Sequence, residues 1–257
     1  MTQIEDPPGF IVRTEAQKAA AANGFRLERG ASGGWLSFGS TTTQVGVWLA
    51  GASENGPWFL SVDRAEVCAE FNLRPVASLF GPGVATFAFE TLRALYAALD
   101  HIYRLGISLP DAPFQAFQSA VRDLPLATEA ERLVIQRVGQ NLFREALLAY
   151  WGVRCPMTGI TDPELLRASH IVPWAECDSD QKRLDIHNGL LLSALWDAAF
   201  DSGLVSFWDD GAPIASPHLT ATAKNALGFY LNHRLVGLTA AHRSNLAWHR
   251  SRYRFSR

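Results

Sequence analysis

Residues 166–203 carry side chains that suit hydrolytic chemistry at short spacings. His170 ends one apolar run, Asn188 precedes a second, and Asp197 and Asp201 lie four residues apart. A neutral imidazole near pH 7 can accept a proton. Carboxylates supply the oxygen ligands that a hard divalent cation such as Mg²⁺ prefers. Together these residue types indicate metal-assisted hydrolysis.

Two strands and a helix are expected to position these side chains. Residues 165–174 and 189–192 form short apolar runs, which predict strands, and the charged stretch 176–185 between them predicts an exposed loop. Ser193 is expected to cap a helix over residues 194–201, because a hydroxyl at that position satisfies a free backbone donor.

The predicted helix places Asp197 and Asp201 on one face, where the two carboxylates repel unless a cation or solvent separates them. A structural explanation is also open, in which Asp197 is solvated and Asp201 caps the turn at Ser202 and Gly203. Taken singly, His170 is more often a structural histidine, and Asn188 before Gly189 is more often a turn residue. The joint pattern favours a reactive site.

The motifs SHI, HNG and WDAAFDSG resemble, in order and spacing, the HNH or ββα-metal family of nucleases, in particular its bacterial restriction-type branch. The resemblance covers residues 132–257. It implies that His170 is the general base, that Asn188 organises the loop, and that Asp197 and Asp201 hold a metal. The implied activity is hydrolysis of DNA phosphodiester bonds in restriction or defence against foreign DNA.

Two departures from the family pattern affect the expected metal. Many members carry His at the helix positions, so Asp at both 197 and 201 favours one Mg²⁺ or Mn²⁺ per site over zinc. Several branches place Asp or His directly before the base, where this chain has Ser169. The identity of the first metal ligand therefore stays open.

Polar side chains flanking the motif are candidates for DNA contact. Thr128 and Glu131 predict a capping box that opens a long helix, and the C-terminal segment mixes arginine with aromatic residues. The candidates are Arg137, Gln140, Arg144, Arg250, Arg252 and Arg254. The alternatives are pairing with Glu145 on the long helix and a solvated basic helix at the C-terminal end.

Composition bounds the class of protein. The 257 residues carry a formal net charge of −2, so affinity for nucleic acid must come from local charge. No apolar run reaches the length of a membrane span and the first residues lack the features of a signal peptide, which predicts a cytoplasmic protein with no membrane partner. Cys68, Cys155 and Cys177 are scattered without a C-x-x-C pair, which argues against disulfides and a four-thiolate zinc site.

The fold class expected is α+β in two modules after a flexible arm over residues 1–13. Residues 14–124 predict a small antiparallel sheet with helices, the last two over about 86–105 and 113–124. Residues 125–257 predict the nuclease domain, with a boundary at 124–127 and a hairpin over 204–216 that extends the core sheet.

The N-terminal module has no recognised family. Its strands contain Trp35, Phe38, Trp48, Trp58 and Phe59. Such residues suit a pocket that stacks a modified base, but they favour an ordinary half-buried sheet, because aromatic residues are also the ones that strands prefer.

Two further functions stay open. One is a DNA-binding module that has the ββα fold without catalysis, and the other is an interaction module that binds neither metal nor DNA. The sequence also leaves open whether RNA is the substrate and whether a homodimer cuts both strands of double-stranded DNA.

Overall fold

The computed structural model describes residues 4–71, 73–109, 111–122 and 128–255. The chain divides into two compact units, residues 1–110 and 111–257. The module boundary predicted at residues 124–127 lies outside the described residues, as do residues 1–3 of the predicted arm. Within the described part, every helix is too short or too polar to span a lipid bilayer.

The first unit contains the predicted antiparallel sheet. Its described strands pair in the order β1-β2-β3-β4-β5. The strands are β1 Leu27–Ser32, β2 Trp35–Gly39, β3 Val47–Gly51, β4 Trp58–Val62 and β5 Ala85–Phe89, and the helices are α1 Phe10–Ala22, α2 Ala65–Glu70 and α3 Leu92–Ser108.

The core of the first unit lies between the sheet and the helices α1 and α3, which contact its central strands. Cross-strand pairing aligns Leu36 with Leu49 and Leu49 with Leu60, and all three side chains are fully buried. On the opposite face Trp35 and Phe59 form a second apolar cluster, against which Trp48 is partly buried.

The aromatic residues of this sheet therefore serve mainly in packing. Trp35, Phe38, Trp58 and Phe59 are all buried. This burial favours the ordinary-sheet explanation, and base reading by this unit stays a prediction.

Two local expectations for this unit were wrong. Helix α1 begins at Phe10, inside the flexible arm predicted over residues 1–13, because Val12 is buried and Pro7-Pro8-Gly9 precedes the first turn. Residues 85–89 form strand β5 rather than the start of a helix. Phe87 and Phe89 pack as a half-buried strand against β4, and α3 begins only after Thr91, whose hydroxyl accepts from the Ala94 N–H at 3.2 Å.

The second unit is built around the long helix α5. Thr128 and Glu131 form the predicted capping box at its start, and Gly152 ends it in a left-handed conformation. The helices are α4 Ala112–Val121, α5 Glu129–Trp151, α6 Asp180–Leu184, α7 Ala194–Asp201, α8 Ala221–Ala226 and α9 Ala240–Arg252, and the strands are β6 Leu166–His170, β7 Gly189–Ser193, β8 Val205–Phe207 and β9 Pro213–Ala215.

Three expectations for the second unit need correction. The loop predicted over residues 176–185 contains helix α6, which is capped by Ser179 and supported by an Asp180–Arg183 ion pair at 2.8 Å rather than by an apolar period. The β8-β9 hairpin is a separate sheet and does not extend the β6-β7 pair. Helix α4, predicted within the first module, groups with the second unit.

Candidate functional site

The candidate site is built on a β-β-α arrangement. Strands β6 and β7 pair antiparallel with His170 opposite Gly189 and Leu166 opposite Ser193, and helix α7 follows β7 directly and packs on both strands. Ser193 occupies the N-cap position, but its hydroxyl makes no capping hydrogen bond. The predicted helix bounds are correct, and the predicted hydroxyl cap is wrong.

Glycine is required where β7 approaches α5. A Cβ atom on Gly189 would lie 2.6 Å from Cζ of Phe143 and 2.7 Å from a methyl group of Leu147. Real side chains do not pack at such distances, so the position opposite His170 needs a residue without a side chain. Helix α5 therefore backs the strand pair that carries the candidate base.

Asn188 lies fully buried at the junction between the connecting segment and β7. Its Oδ1 accepts from the backbone N–H of Val172 at 2.8 Å, and its Nδ2 donates to the carbonyls of Val172 at 3.1 Å and Lys182 at 3.3 Å. A buried amide with its polar atoms bonded is fixed in orientation. Asn188 thus ties the segment after β6 to the segment before β7.

His170 is held at the end of β6 in one orientation. Its ring stacks on Phe143 with centroids 3.9 Å apart, and Nε2 donates to the carbonyl of Arg183 at 2.8 Å. A carbonyl only accepts, so the neutral ring carries its proton on Nε2 and leaves the lone pair on Nδ1. Burial lowers the pKa of His170 and outweighs the opposing effect of the Arg183 carbonyl. The neutral form is therefore favoured at pH 7.

Arg183 supports the carbonyl that orients His170. Its guanidinium donates to the carbonyls of Trp174 at 3.2 Å and Cys177 at 2.6 Å, and pairs with Asp180. These bonds tie Arg183 to three other residues of the segment that connects β6 and β7. Sequence reasoning missed this role, because a charged stretch without apolar period gives no sign of its tertiary partners.

Asp197 and Asp201 share the face of α7 that lies next to Ser169. The Ser169 hydroxyl donates to Oδ1 of Asp201 at 3.4 Å, and Ser169 itself is buried. Partial burial and then the charge of Asp197 raise the pKa of Asp201 to about 6. Burial also raises the pKa of Asp197, although the Ser169 hydroxyl and the charge of Arg167 act against it. Ionisation of both carboxylates is therefore unfavourable when no cation is bound.

The donor set of this pair fits a hard divalent cation. Both groups are carboxylates whose pKa values are raised, by burial in both cases and additionally by the charge of Asp197 in the case of Asp201. Within the described ranges, no cluster of three or more His, Cys, Asp or Glu side chains could hold a metal. Mg²⁺ commonly uses one or two protein carboxylates and completes its shell with water and substrate phosphate. The two aspartates meet that requirement.

A cavity of about 300 Å³ opens between the strand pair and helix α9. His170 and Asp201 both line it, together with Trp174, His249 and Tyr253. The candidate base and one candidate metal ligand therefore face a common space.

Sequence reasoning did not place in this site His249 of α9 or Tyr253, the residue that follows α9. His249 Nε2 donates to the Phe200 carbonyl at 3.2 Å, and Tyr253 donates to the Asp201 carbonyl at 2.9 Å. Burial lowers the pKa of His249 to about 4, so it stays neutral. The arginines of segment 242–257 indicated phosphate contact. The contact of this segment with α7 joins residues some 50 positions apart, and no local pattern in the sequence predicts it.

The six predicted DNA-contact residues fall into two structural groups. Arg144 donates to the carbonyls of Leu166 at 2.8 Å and Pro163 at 2.6 Å, and Arg250 donates to the Phe207 carbonyl and the Asp209 carboxylate, each at 2.7 Å. Their guanidinium groups serve the internal structure. The exposed group comprises Arg137, Gln140, Arg252 and Arg254.

The cysteines pack within the structure and form no disulfide. Cys155 is fully buried, and Cys177 lies against the carbonyls of Val172 and Pro173. Burial raises the pKa of the Cys177 thiol, which keeps it protonated and unreactive.

No curated protein matches this chain. A model of the family described as HNH endonuclease matches residues 155–208, a segment that contains β6, β7 and α7 with His170, Asn188 and both aspartates. This part of the second unit is therefore similar to an HNH endonuclease domain, which suggests nuclease activity on nucleic acid.

Proposed function

We propose that the second unit is a divalent-metal-dependent DNA endonuclease with a ββα-metal core and that His170 is its general base. One observation carries the proposal: His170 and Asp201 line the same cavity, and the Nε2 bond to Arg183 leaves Nδ1 of His170 free to accept a proton. A base and a carboxylate that could bind a metal, both lining one cavity, are the minimum for metal-assisted phosphodiester hydrolysis.

In this proposal each residue has a defined task. Nδ1 of His170 takes the proton from the attacking water, and Arg183 together with Phe143 keeps the ring in the orientation for that transfer. Asn188 holds Val172 and Lys182, and so keeps the segment around the base in place. These residues position and deprotonate the nucleophile.

Asp197 and Asp201 would hold one Mg²⁺ or Mn²⁺, with Ser169 bonded to the ligand carboxylate. A bound divalent cation supplies charge stabilisation at the phosphate and at the departing 3′ oxygen. Ser169 takes the place of the charged residue expected before the base, which leaves the metal with two protein carboxylates.

DNA contact is proposed for the exposed residues Arg137, Gln140, Arg252 and Arg254. Arg137, Arg252 and Arg254 would neutralise backbone phosphates, and the uncharged Gln140 would donate a hydrogen bond to one, in a chain whose total charge gives no general attraction to nucleic acid. Double-stranded DNA is the proposed substrate, and restriction of foreign DNA the proposed role. In that role the first unit would recognise DNA or a modified base, and two copies would assemble to break both strands.

The test is cleavage of unmodified and cytosine-methylated plasmid by the full chain with Mg²⁺, Mn²⁺ or chelator. The proposal predicts cleavage with either metal and none with chelator. Preference for the methylated plasmid would support a reading role for the first unit. Metal-independent binding without cleavage would instead identify a DNA-binding module that keeps the fold and lacks catalysis.

A further inference from the structure

We propose that Tyr253 is a positioning residue that fixes Asp201 at the metal-binding face of helix α7. This inference rests on the proposed function, because it assigns Tyr253 a task in the metal centre formed by Asp197 and Asp201. Tyr253 lies beyond residues 155–208, the segment that matches the family model. The contact therefore comes from a residue outside that segment, directly after helix α9.

The need for such a residue follows from the place of Asp201 in its helix. Helix α7 has only eight residues, and Asp201 is the last of them. The last turn of a helix leaves carbonyls without helical partners and frays readily. A ligand at this position would move with each opening of the turn unless another element held its backbone.

Repulsion from Asp197 adds to this tendency. The two carboxylates are one helical turn apart, where like charges destabilise the helix. In the absence of a cation, the terminal residue relieves the repulsion most easily by moving away. The centre thus needs a restraint on Asp201 that leaves its carboxylate free.

Tyr253 provides such a restraint through the main chain. Its hydroxyl donates to the backbone carbonyl of Asp201 at 2.9 Å, so this hydrogen bond does not occupy the Asp201 carboxylate. Its ring lies against Gly203, where an added Cβ would come within 2.1 Å of Cδ1 of the ring. Gly203 also has a φ of +66°, so the turn after Asp201 is shaped to receive the ring.

His249 anchors the tyrosine side of this contact. The two rings lie 4.7 Å apart, and His249 stacks on Phe200 at 3.9 Å while donating to the Phe200 carbonyl. His249 in α9 and Tyr253 directly after it thus bond the last two carbonyls of α7, those of Phe200 and Asp201. The hydroxyl of Tyr253 is the part of this arrangement that reaches the candidate ligand.

The test is Mn²⁺ binding by isothermal titration calorimetry to the full chain and to Tyr253→Phe, which keeps the ring and removes the hydroxyl. Tyr230→Phe is the matched control, because Tyr230 is 71% exposed. We expect the Kd for Mn²⁺ to rise about 3- to 10-fold in Tyr253→Phe, the range that one hydrogen bond supplies, and to stay unchanged in Tyr230→Phe.

Cleavage kinetics and stability separate positioning from general support of the fold. In Tyr253→Phe the Mg²⁺ concentration for half-maximal cleavage should rise by a similar factor, while the rate at saturating Mg²⁺ stays that of the wild type. An unchanged Mn²⁺ affinity, with or without a lower Tm, overturns the inference and leaves the nuclease proposal standing. Absence of Mn²⁺ binding by the wild type overturns the inference together with the metal centre.

Discussion

The side-chain amide of Asn188 bonds both backbone polar groups of Val172, accepting from its N–H at 2.8 Å and donating to its carbonyl at 3.1 Å. The residues are 16 apart in sequence, and the contact is buried. It closes the segment between β6 and β7 into a fixed loop. The orientation of His170 depends on this loop, because Arg183 within it supplies the carbonyl that binds Nε2.

Asn188→Ala should destabilise the protein, because it leaves the buried N–H of Val172 without its acceptor. The expected loss in the free energy of unfolding is about 1–3 kcal/mol, measured by urea denaturation. Asn141→Ala, at an exposed position on α5, should change it by no more than about 0.5 kcal/mol. Equal stability of the two variants would show that the hydrogen bonds between the Asn188 side chain and the Val172 backbone are not formed.

The pKa of Asp201 predicts how stability without metal depends on pH. Its folded-state pKa of about 6 lies above the ordinary 3.8, so ionisation opposes folding. The favourable contribution of the protonated carboxyl is full below pH 3.8 and is lost as the pH rises through about 6.

Asp201→Asn removes the carboxylate whose ionisation opposes folding, so the substitution should raise the metal-free Tm at pH 8. Solvent access to Asp201 limits the effect to about 1 kcal/mol, which corresponds to about 2–4 °C in a chain of this size. Thermal unfolding at pH 4 and pH 8 measures it. A variant with a Tm no higher than the wild type at pH 8 would contradict the strained carboxylate pair. Mg²⁺ should raise the Tm of the wild type and not of the variant.

The lowered pKa of His170 predicts the acid limb of the pH–rate profile at saturating Mg²⁺. A general base must be neutral, and burial places its pKa below the ordinary 6.5. The rate should be independent of His170 protonation at pH 7 and fall as the pH drops below 6.5. Single-turnover cleavage from pH 5 to 8 measures it, and a midpoint above 7 would argue against a buried neutral base.

Substitutions of Arg250 and Arg137 should have different effects, because Arg250 is a structural residue and Arg137 is a proposed DNA contact. Arg250→Ala removes bonds to Phe207 and Asp209 and should lower the free energy of unfolding by about 1–3 kcal/mol. Arg137→Ala should leave stability unchanged and reduce the slope of log binding constant against log salt by about 1. Urea unfolding and binding titrations at several salt concentrations measure the two effects. The reverse pattern would contradict this division.

The sequence predicted the parts of the site that depend on local signals. The bounds of helix α7 were predicted correctly, although the Ser193 hydroxyl bond expected at its start is not formed, and helix α5 was predictable from its capping box. Helix α6 was not, because its bonds to the backbone of Trp174 and Cys177 are tertiary and its side chains show no apolar period. Strand β5 was missed because an apolar run shared by a short strand and the helix after it has no unique period.

The support of Asp201 by Tyr253 was beyond sequence reasoning for a related reason. The two residues are 52 apart, and the segment of Tyr253 is dominated by arginines that suggest phosphate contact. The burial of Arg250 beside Trp208 became visible only with the tertiary structure. Basic residue types alone do not separate a phosphate contact from an internal hydrogen-bond donor.

The most direct test of the account is the single-turnover rate of DNA cleavage with Mg²⁺ at pH 7.5 by the wild type and His170→Ala. His218→Ala is the matched control, because His218 is exposed. The account predicts that His170→Ala lowers the rate about 10²- to 10⁴-fold with DNA binding retained, and that His218→Ala does not. Cleavage by His170→Ala at the wild-type rate would contradict the assignment of His170 as the base.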